Sequence, residues 1–135
     1  MPVREIMTTR LITVTADATV DEMYALFKQY PIHHLLVVEG EQLCGVVSDR
    51  DVLRNRSPFA GTKVASDKDA FTLTREARKI MTNKLVTVDQ NAQIRDAARL
   101  FLDHGVSVLP VVDAAQGGIL VGILSWKDVL RHIIR

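Results

Sequence analysis

Two serine–carboxylate pairs stand out among the residues able to do chemistry, Ser48-Asp49-Arg50-Asp51 and Ser125-Trp126-Lys127-Asp128. A serine three residues ahead of a carboxylate, in front of an apolar helical pattern, makes a capping box, in which each side chain accepts from the other's backbone amide. The same polar pair at a strand-to-helix junction is also available to a ligand. Recurrence does not separate these readings, because duplicated helices duplicate their caps. His33-His34 is a third candidate. Adjacent strand residues point to opposite faces, so the two imidazoles need not share one role, and a hydrogen-bonded structural pair is the alternative. They do not make a zinc set: no carboxylate or thiolate partner is expected nearby, and His104 and His132 lie far off in sequence. Cys44, the only cysteine, sits in the run Leu43-Cys44-Gly45-Val46-Val47, reads as a small buried hydrophobe, and excludes an intramolecular disulfide. No Gly-x-Ser-x-Gly elbow, Walker loop, dinucleotide fingerprint or His-Glu-x-x-His is present, so catalysis is not expected.

The elements that must position these residues are written twice. Ile6-Met7-Thr8 recurs as Ile80-Met81-Thr82, and at the same offset Thr13-Val14 returns as Thr87-Val88, Leu26-Phe27 as Leu100-Phe101, and Val37-Val38 as Val111-Val112. The second copy carries an insertion around Gln116-Gly117-Gly118; beyond it Gly45-Val46-Val47-Ser48 matches Gly122-Ile123-Leu124-Ser125, and Asp51-Val52-Leu53-Arg54 matches Asp128-Val129-Leu130-Arg131. Within each copy a short β segment (Leu11 to Val14; Leu85 to Val88) leads to a helix. Its apolar stripe is Val20, Met23, Tyr24 and Phe27 in the first copy and Ile94, Ala97, Ala98 and Phe101 in the second. Thr19 and Glu22 fit a capping box at the start of the first of these helices. Two apolar runs follow, Leu35 to Glu39 and Leu43 to Val47, joined by Gly40-Glu41-Gln42, and they predict an antiparallel hairpin. The second copy repeats it with Leu109 to Val112 and Ile119 to Leu124, and a last helix starts near Ser48 or Ser125. Near-continuous apolar strands are those covered on both faces.

The fold class expected is therefore α/β (α+β), two duplicated β-α-β-β-α motifs packed through their sheets with pseudo-two-fold symmetry. The copies occupy 1–56 and 77–135. The segment 57–76 is an inter-repeat linker, polar and loop-like from Gly61 to Asp69, with Ser66 capping a helix through Ala70, Leu73, Ala77 and Ile80. At 135 residues with 47% hydrophobic and 24% charged composition, the chain needs neither disulfide nor metal to fold. A formal net charge of +1, with both signs mixed along the chain, argues against nucleic-acid binding through a basic field. The first residues lack a signal peptide's apolar core, and no apolar stretch approaches the roughly 20 residues that span a bilayer, so a cytoplasmic protein is expected.

The doubled order of Ile-Met-Thr, a Val-Val strand and Gly-hydrophobic-hydrophobic-Ser-x-x-Asp resembles the CBS motif, two of which make a Bateman module, over nearly the whole chain. It is also similar to the CBS portion of acetoin-utilisation regulators at Ser48-Asp49-Arg50-Asp51 and in the long linker. The resemblance implies an adenosine signature on Gly45–Asp51 and on Gly122–Asp128. A short carboxylate there can accept from both ribose hydroxyls through charge-assisted bonds, and a helix N-terminus favours a phosphate. Glycine ahead of the serine lets another element approach the backbone. The resemblance further implies crossed pockets, Ser125 and Asp128 with Ala18, Ile32, His33 and His34, and Ser48 and Asp51 with Ala92, Val106, Ser107 and Val108. His33 and His34 occupy positions where nucleotide-binding relatives place groups against phosphates, so the His-lined pocket is expected to favour phosphorylated ligands. Arg50, Arg54, Lys127 and Arg131 are further phosphate candidates that otherwise read as solvated helix residues. Two positions depart from the pattern: Leu36 stands where the second copy has Pro110, the family's usual residue, and Trp126 replaces Asp49.

The function implied is a regulatory, non-catalytic adenine-nucleotide sensor (AMP, ADP, ATP or S-adenosylmethionine). Its ligand would bias conformation or assembly, with no obligatory cofactor and no metal. A homodimer and an effector protein of unknown identity are the expected partners, and neither membrane nor nucleic acid is. The alternative is a ligand-free structural or dimerisation module for a partner protein.

Overall fold

A computed structural model describes residues 1–60 and 62–135; Gly61, the first residue of the expected loop, lies outside the described residues. Two compact units result, one from Ile12–Leu85, the other from Met1–Leu11 together with Val86–Arg135.

The Ile12–Leu85 unit runs β1 (Thr13–Val14), α1 (Val20–Gln29), β2 (His34–Glu39), β3 (Gln42–Ser48), α2 (Asp49–Asn55), α3 (Asp67–Thr72) and α4 (Ala77–Ile80). Its sheet has the order β1-β2-β3, with β1 parallel and β3 antiparallel to β2. The hairpin turns at Gly40, whose φ of 61° is a left-handed conformation that glycine adopts without a Cβ penalty. Three consecutive residues of β2, Leu35, Leu36 and Val37, are buried, as a strand covered on both faces requires. Val20 and Met23 of α1 join Leu35, Val37, Val47, Val52 and Ala77 in the core. Thr19 accepts from the Glu22 amide at 3.2 Å, which caps α1 from one side.

The helix expected from Ser66 through Ile80 is two helices. Ser66 and Asp69 form a capping box on α3, but the chain between α3 and α4 turns to the start of α1. There Leu73 O accepts from Asp21 N and Arg75 O from Val20 N, and Glu76 bridges Thr19. These acceptors satisfy the unpaired first amides of α1, an interaction that local apolar spacing does not register. Ser57 Oγ donates to Asp69 at 2.5 Å and Thr72 accepts from the Ser57 amide, which ties α3 to the end of the first copy.

The other unit contains a 3-10 turn (Val3–Glu5), β4 (Val88–Asp89), α5 (Ile94–His104), β5 (Val108–Asp113), β6 (Ile119–Ser125) and α6 (Trp126–Ile134). Its sheet, β4-β5-β6, repeats the same parallel and antiparallel pairings. The insertion forms a 3-10 turn (Ala114–Gln116), where buried Asp113 accepts from Ala115 N and Gln116 Nε2. Val3 is fully buried with Leu109, Val111 and Leu124, so the N-terminal segment is a core element of this unit.

Both hairpins carry a register irregularity at the same place, Val37/Val38 and Val111/Val112. The glycine opposite each, Gly45 and Gly122, lies under a methionine. A Cβ on Gly45 would meet Met81 Sδ at 2.5 Å, and one on Gly122 would meet Met7 Sδ at 2.6 Å and the Thr8 carbonyl at 3.0 Å. The following threonines pair with the strand: Thr8 and Ile123 exchange two backbone bonds of 2.9 Å, and Thr82 and Val46 exchange bonds of 2.9 and 3.1 Å. Each Ile-Met-Thr therefore closes the sheet edge of the copy it does not precede in closest sequence. Cys44, next to Gly45, is half-buried and free rather than fully enclosed.

Candidate functional site

Both serine–carboxylate pairs fold as capping boxes. Ser48 N donates to Asp51 Oδ2 at 2.9 Å and Asp51 N to Ser48 Oγ at 3.1 Å; in the second copy the corresponding bonds are 2.8 and 3.2 Å. All four residues are half-buried. Capping uses one carboxylate oxygen, and an ionised carboxylate has two, so capping and ligand contact are compatible. α2 has only seven residues, which leaves little macrodipole for a phosphate, whereas α6 has nine.

Each box stands beside the start of its own unit's middle strand. His34 pairs with Ser48 across the hairpin and Val108 with Ser125. The same backbone bond recurs one residue along, Asp49 N to His33 O at 3.0 Å and Trp126 N to Ser107 O at 3.3 Å. Thus the structure brings His33 and His34 together with Ser48 and Asp51, and Ser107 and Val108 with Ser125 and Asp128. Ile32 and Ala18 are packed in or against the core of the first of these units, and Ala92 and Val106 against that of the second.

The side chains at these equivalent places differ. His33 Nδ1 donates to Asp49 Oδ2 at 2.9 Å, a carboxylate partner that sequence spacing did not reveal although Asp49 lies within the signature. This hydrogen bond holds the Asp49 carboxyl below the usual carboxylate range. Half-burial pushes His34 below the ordinary histidine value of 6.5, against the raising influence of Asp49 and Asp51. No group of three potential ligands capable of holding a metal occurs among the described residues.

Because folding disfavours the charged form of His34, its stability contribution is complete above pH 6.5 and is lost as pH falls from there through its folded value. Thermal unfolding of wild type is therefore expected to weaken from pH 7.5 to 5.5, and His34→Gln to flatten that decline. An unchanged slope in the variant would assign the acid sensitivity elsewhere.

Arg50, Arg54 and Lys127 are exposed. Arg131 instead reaches Asp128 Oδ1 at 3.4 Å, an exposed contact of small energetic weight. Tyr24, read only as a core position, is stacked by Arg56 at 4.2 Å and Lys28 at 4.8 Å from its ring centre. A cavity of about 410 Å³ lies at the first turn of α5, lined by Met1, Gln93, Ile94, Arg95, Asp96 and His132, and includes none of the capping-box residues. No helix among the described residues is long and apolar enough to cross a membrane.

The doubled sheet, the two boxes and their glycines fall where a family model for the CBS domain matches, at residues 3–57 and 77–135. The chain belongs to the CBS domain family. Its CBS pair is 32% identical over 127 residues to the CBS domain-containing protein YhcV of Bacillus subtilis, covering 94% of this chain and 81% of that one. Two archaeal relatives are longer, and the pair spans 44% and 31% of their lengths. Among solved structures, CBSX2 in complex with AMP superposes with a TM-score of 0.79 at 32% identity, covering 98% of this chain and 96% of that one. A putative acetoin utilization protein (AcuB) from Vibrio cholerae, at 23% identity, shares the fold with a TM-score of 0.79 over 99% of this chain and 90% of its own.

Proposed function

We propose that this CBS pair is a regulatory, non-catalytic module that binds an adenine nucleotide or another adenosyl ligand and transmits its occupancy through conformation or assembly. The observation that carries the reading is the pair of half-buried carboxylates, Asp51 and Asp128, each fixed by its serine amide through one oxygen. A carboxylate immobilised in this way can accept from the two ribose hydroxyls with little further loss of freedom. Ser48 and Ser125 fix the carboxylates. The residues proposed to line the ligand are Ala18, Ile32, His33 and His34 in one unit, and Ala92, Val106, Ser107 and Val108 in the other. The complex of the similar CBSX2 with AMP supports the ligand class.

Ligand binding moves an equilibrium only by the difference in affinity for its two states. The listener proposed is a second copy of the chain or an effector protein. Trp126, Leu130 and Ile133 stand at i, i+4 and i+7 on α6 and are 45%, 44% and 69% exposed, an apolar stripe suited to a homodimer.

Thermal unfolding against AMP, ADP, ATP, S-adenosylmethionine and GTP tests the proposal. At 100 times its dissociation constant a ligand adds about 2.7 kcal/mol, a rise in Tm of about 8 °C. An adenine-specific rise supports the sensor. No rise with any ligand, in folded protein free of co-purified nucleotide, leaves a dimerisation module whose carboxylates are caps.

A further inference from the structure

The starts of β2 and β5 are equivalent in backbone and opposite in chemistry. Around β5 the equivalent side chains are Ser107, Val108 and Trp126, none of which titrates in the neutral range. Around β2 they are His33, His34 and Asp49, and His33 is bonded to the Asp49 carboxylate at 2.9 Å. His33 is three-quarters exposed and Asp49 more than one-third exposed, so a ligand can reach both. The charges acting on His34 come from Asp49 and Asp51 of α2 and from His33 beside it; β3 brings only Ser48 to this end, and Arg50 of α2 is exposed.

With both imidazoles neutral, Asp49 and Asp51 leave this cluster negative. With both protonated, the two cations offset the two carboxylates. We propose that the His33–Asp49 pair makes phosphate recognition at the start of β2 proton-linked, admitting a 5′-phosphate when the imidazoles are charged and opposing it, through Asp49, when they are not. The ligand class is thereby an adenosyl compound whose 5′ substituent is selected by charge. This rests on the nucleotide-binding reading above. Burial of His34 places its protonation on the acid side of the ordinary histidine range, while Asp49 stays ionised there.

The test measures dissociation constants of AMP and of adenosine by titration calorimetry at pH 5.5, 6.5 and 7.5. Wild type, Asp49→Asn, His33→Gln and Asp51→Asn/Asp128→Asn are compared. The phosphate of AMP itself takes up a proton near pH 6, so each variant is read against wild type at the same pH, where that contribution cancels. At pH 7.5, Asp49→Asn is expected to tighten AMP about five-fold, the Coulomb effect of removing one like charge near a protein surface, and to leave adenosine unchanged. That gain is expected to shrink toward pH 5.5, and His33→Gln to reduce the preference for AMP over adenosine at acid pH. Equal effects of Asp49→Asn on AMP and adenosine, or none on either, would overturn the proposal. If that happens while the double variant weakens both compounds about 100-fold, the nucleotide reading stands and only the proton linkage falls; if wild type binds neither compound, both fall.

Discussion

Replacing Asp51 and Asp128 together by asparagine is expected to weaken adenine-nucleotide binding about 100-fold at each occupied site, the loss of roughly 2.7 kcal/mol, and to erase the ligand-dependent rise in Tm. Asparagine separates the two roles of these side chains. Its amide oxygen can still accept from Ser48 N or Ser125 N, as Asp51 and Asp128 do at 2.9 and 2.8 Å, so the helix keeps that half of its cap. What it lacks is the charge and the second acceptor oxygen that a ribose diol needs. Alanine removes both functions and is expected to cost a further ~1 kcal/mol per helix in the ligand-free protein. If asparagine leaves the nucleotide response intact, the carboxylates are caps and no more. The single variants would show which box a given nucleotide uses.

A second large effect is expected at the glycines of the signature, whose role here is steric. Gly45→Ala sets a methyl group 2.5 Å from Met81 Sδ and 3.0 Å from its Cβ, and Gly122→Ala meets Met7 and also the Thr8 carbonyl oxygen at 3.0 Å. A methionine end can swing aside, whereas the Thr8 carbonyl, which accepts from Ile123 N in a residue whose own amide donates to Ile123 O, cannot do so cheaply. Gly45→Ala is therefore expected to destabilise by about 2 kcal/mol and Gly122→Ala by about 3 kcal/mol, seen as a shifted denaturant midpoint at constant slope. Met81→Ala should relieve much of the first cost, and Met7→Ala only part of the second, so both double-mutant cycles should be non-additive, the first more strongly. Additive behaviour would mean that the methionines are not what the glycines accommodate.

Much of this was legible from residues alone. The repeat of Ile-Met-Thr, the hairpin runs and the two Ser-x-x-Asp pairs predict the element order and both capping boxes, because these are local patterns whose partners lie within a few residues. The hairpin strands match closely, with β2 and β3 gaining His34, Gln42 and Ser48 where backbone pairing continues past the apolar run. The leading segments Leu11 to Val14 and Leu85 to Val88 give only Thr13–Val14 and Val88–Asp89, the residues in register with the middle strands. The helix that starts at Ser66 ends sooner than its apolar spacing predicts, because the backbone beyond Thr72 is diverted to the amides of α1 although the spacing continues through Leu73 and Ala77.

Contacts between residues distant along the chain are set by the folded structure. Sequence order groups Met1–Leu11 with the copy that follows it, yet Val3, Met7 and Thr8 build the unit of Val86–Arg135, and Met81 seals the sheet of Ile12–Leu85. The sequence marks both the glycine ahead of each serine and the repeated Ile-Met-Thr, but which methionine lies over which glycine follows from packing, Met81 over Gly45 and Met7 over Gly122. Likewise it placed His33 and Asp49 in separate motifs, and the hairpin's register set them 2.9 Å apart. Periodicity records which face of an element is apolar, and capping is written within one turn of helix. Which distant segment covers that face, and which side chain meets which across a strand-to-helix junction, is settled by packing and backbone pairing that no short window of sequence contains.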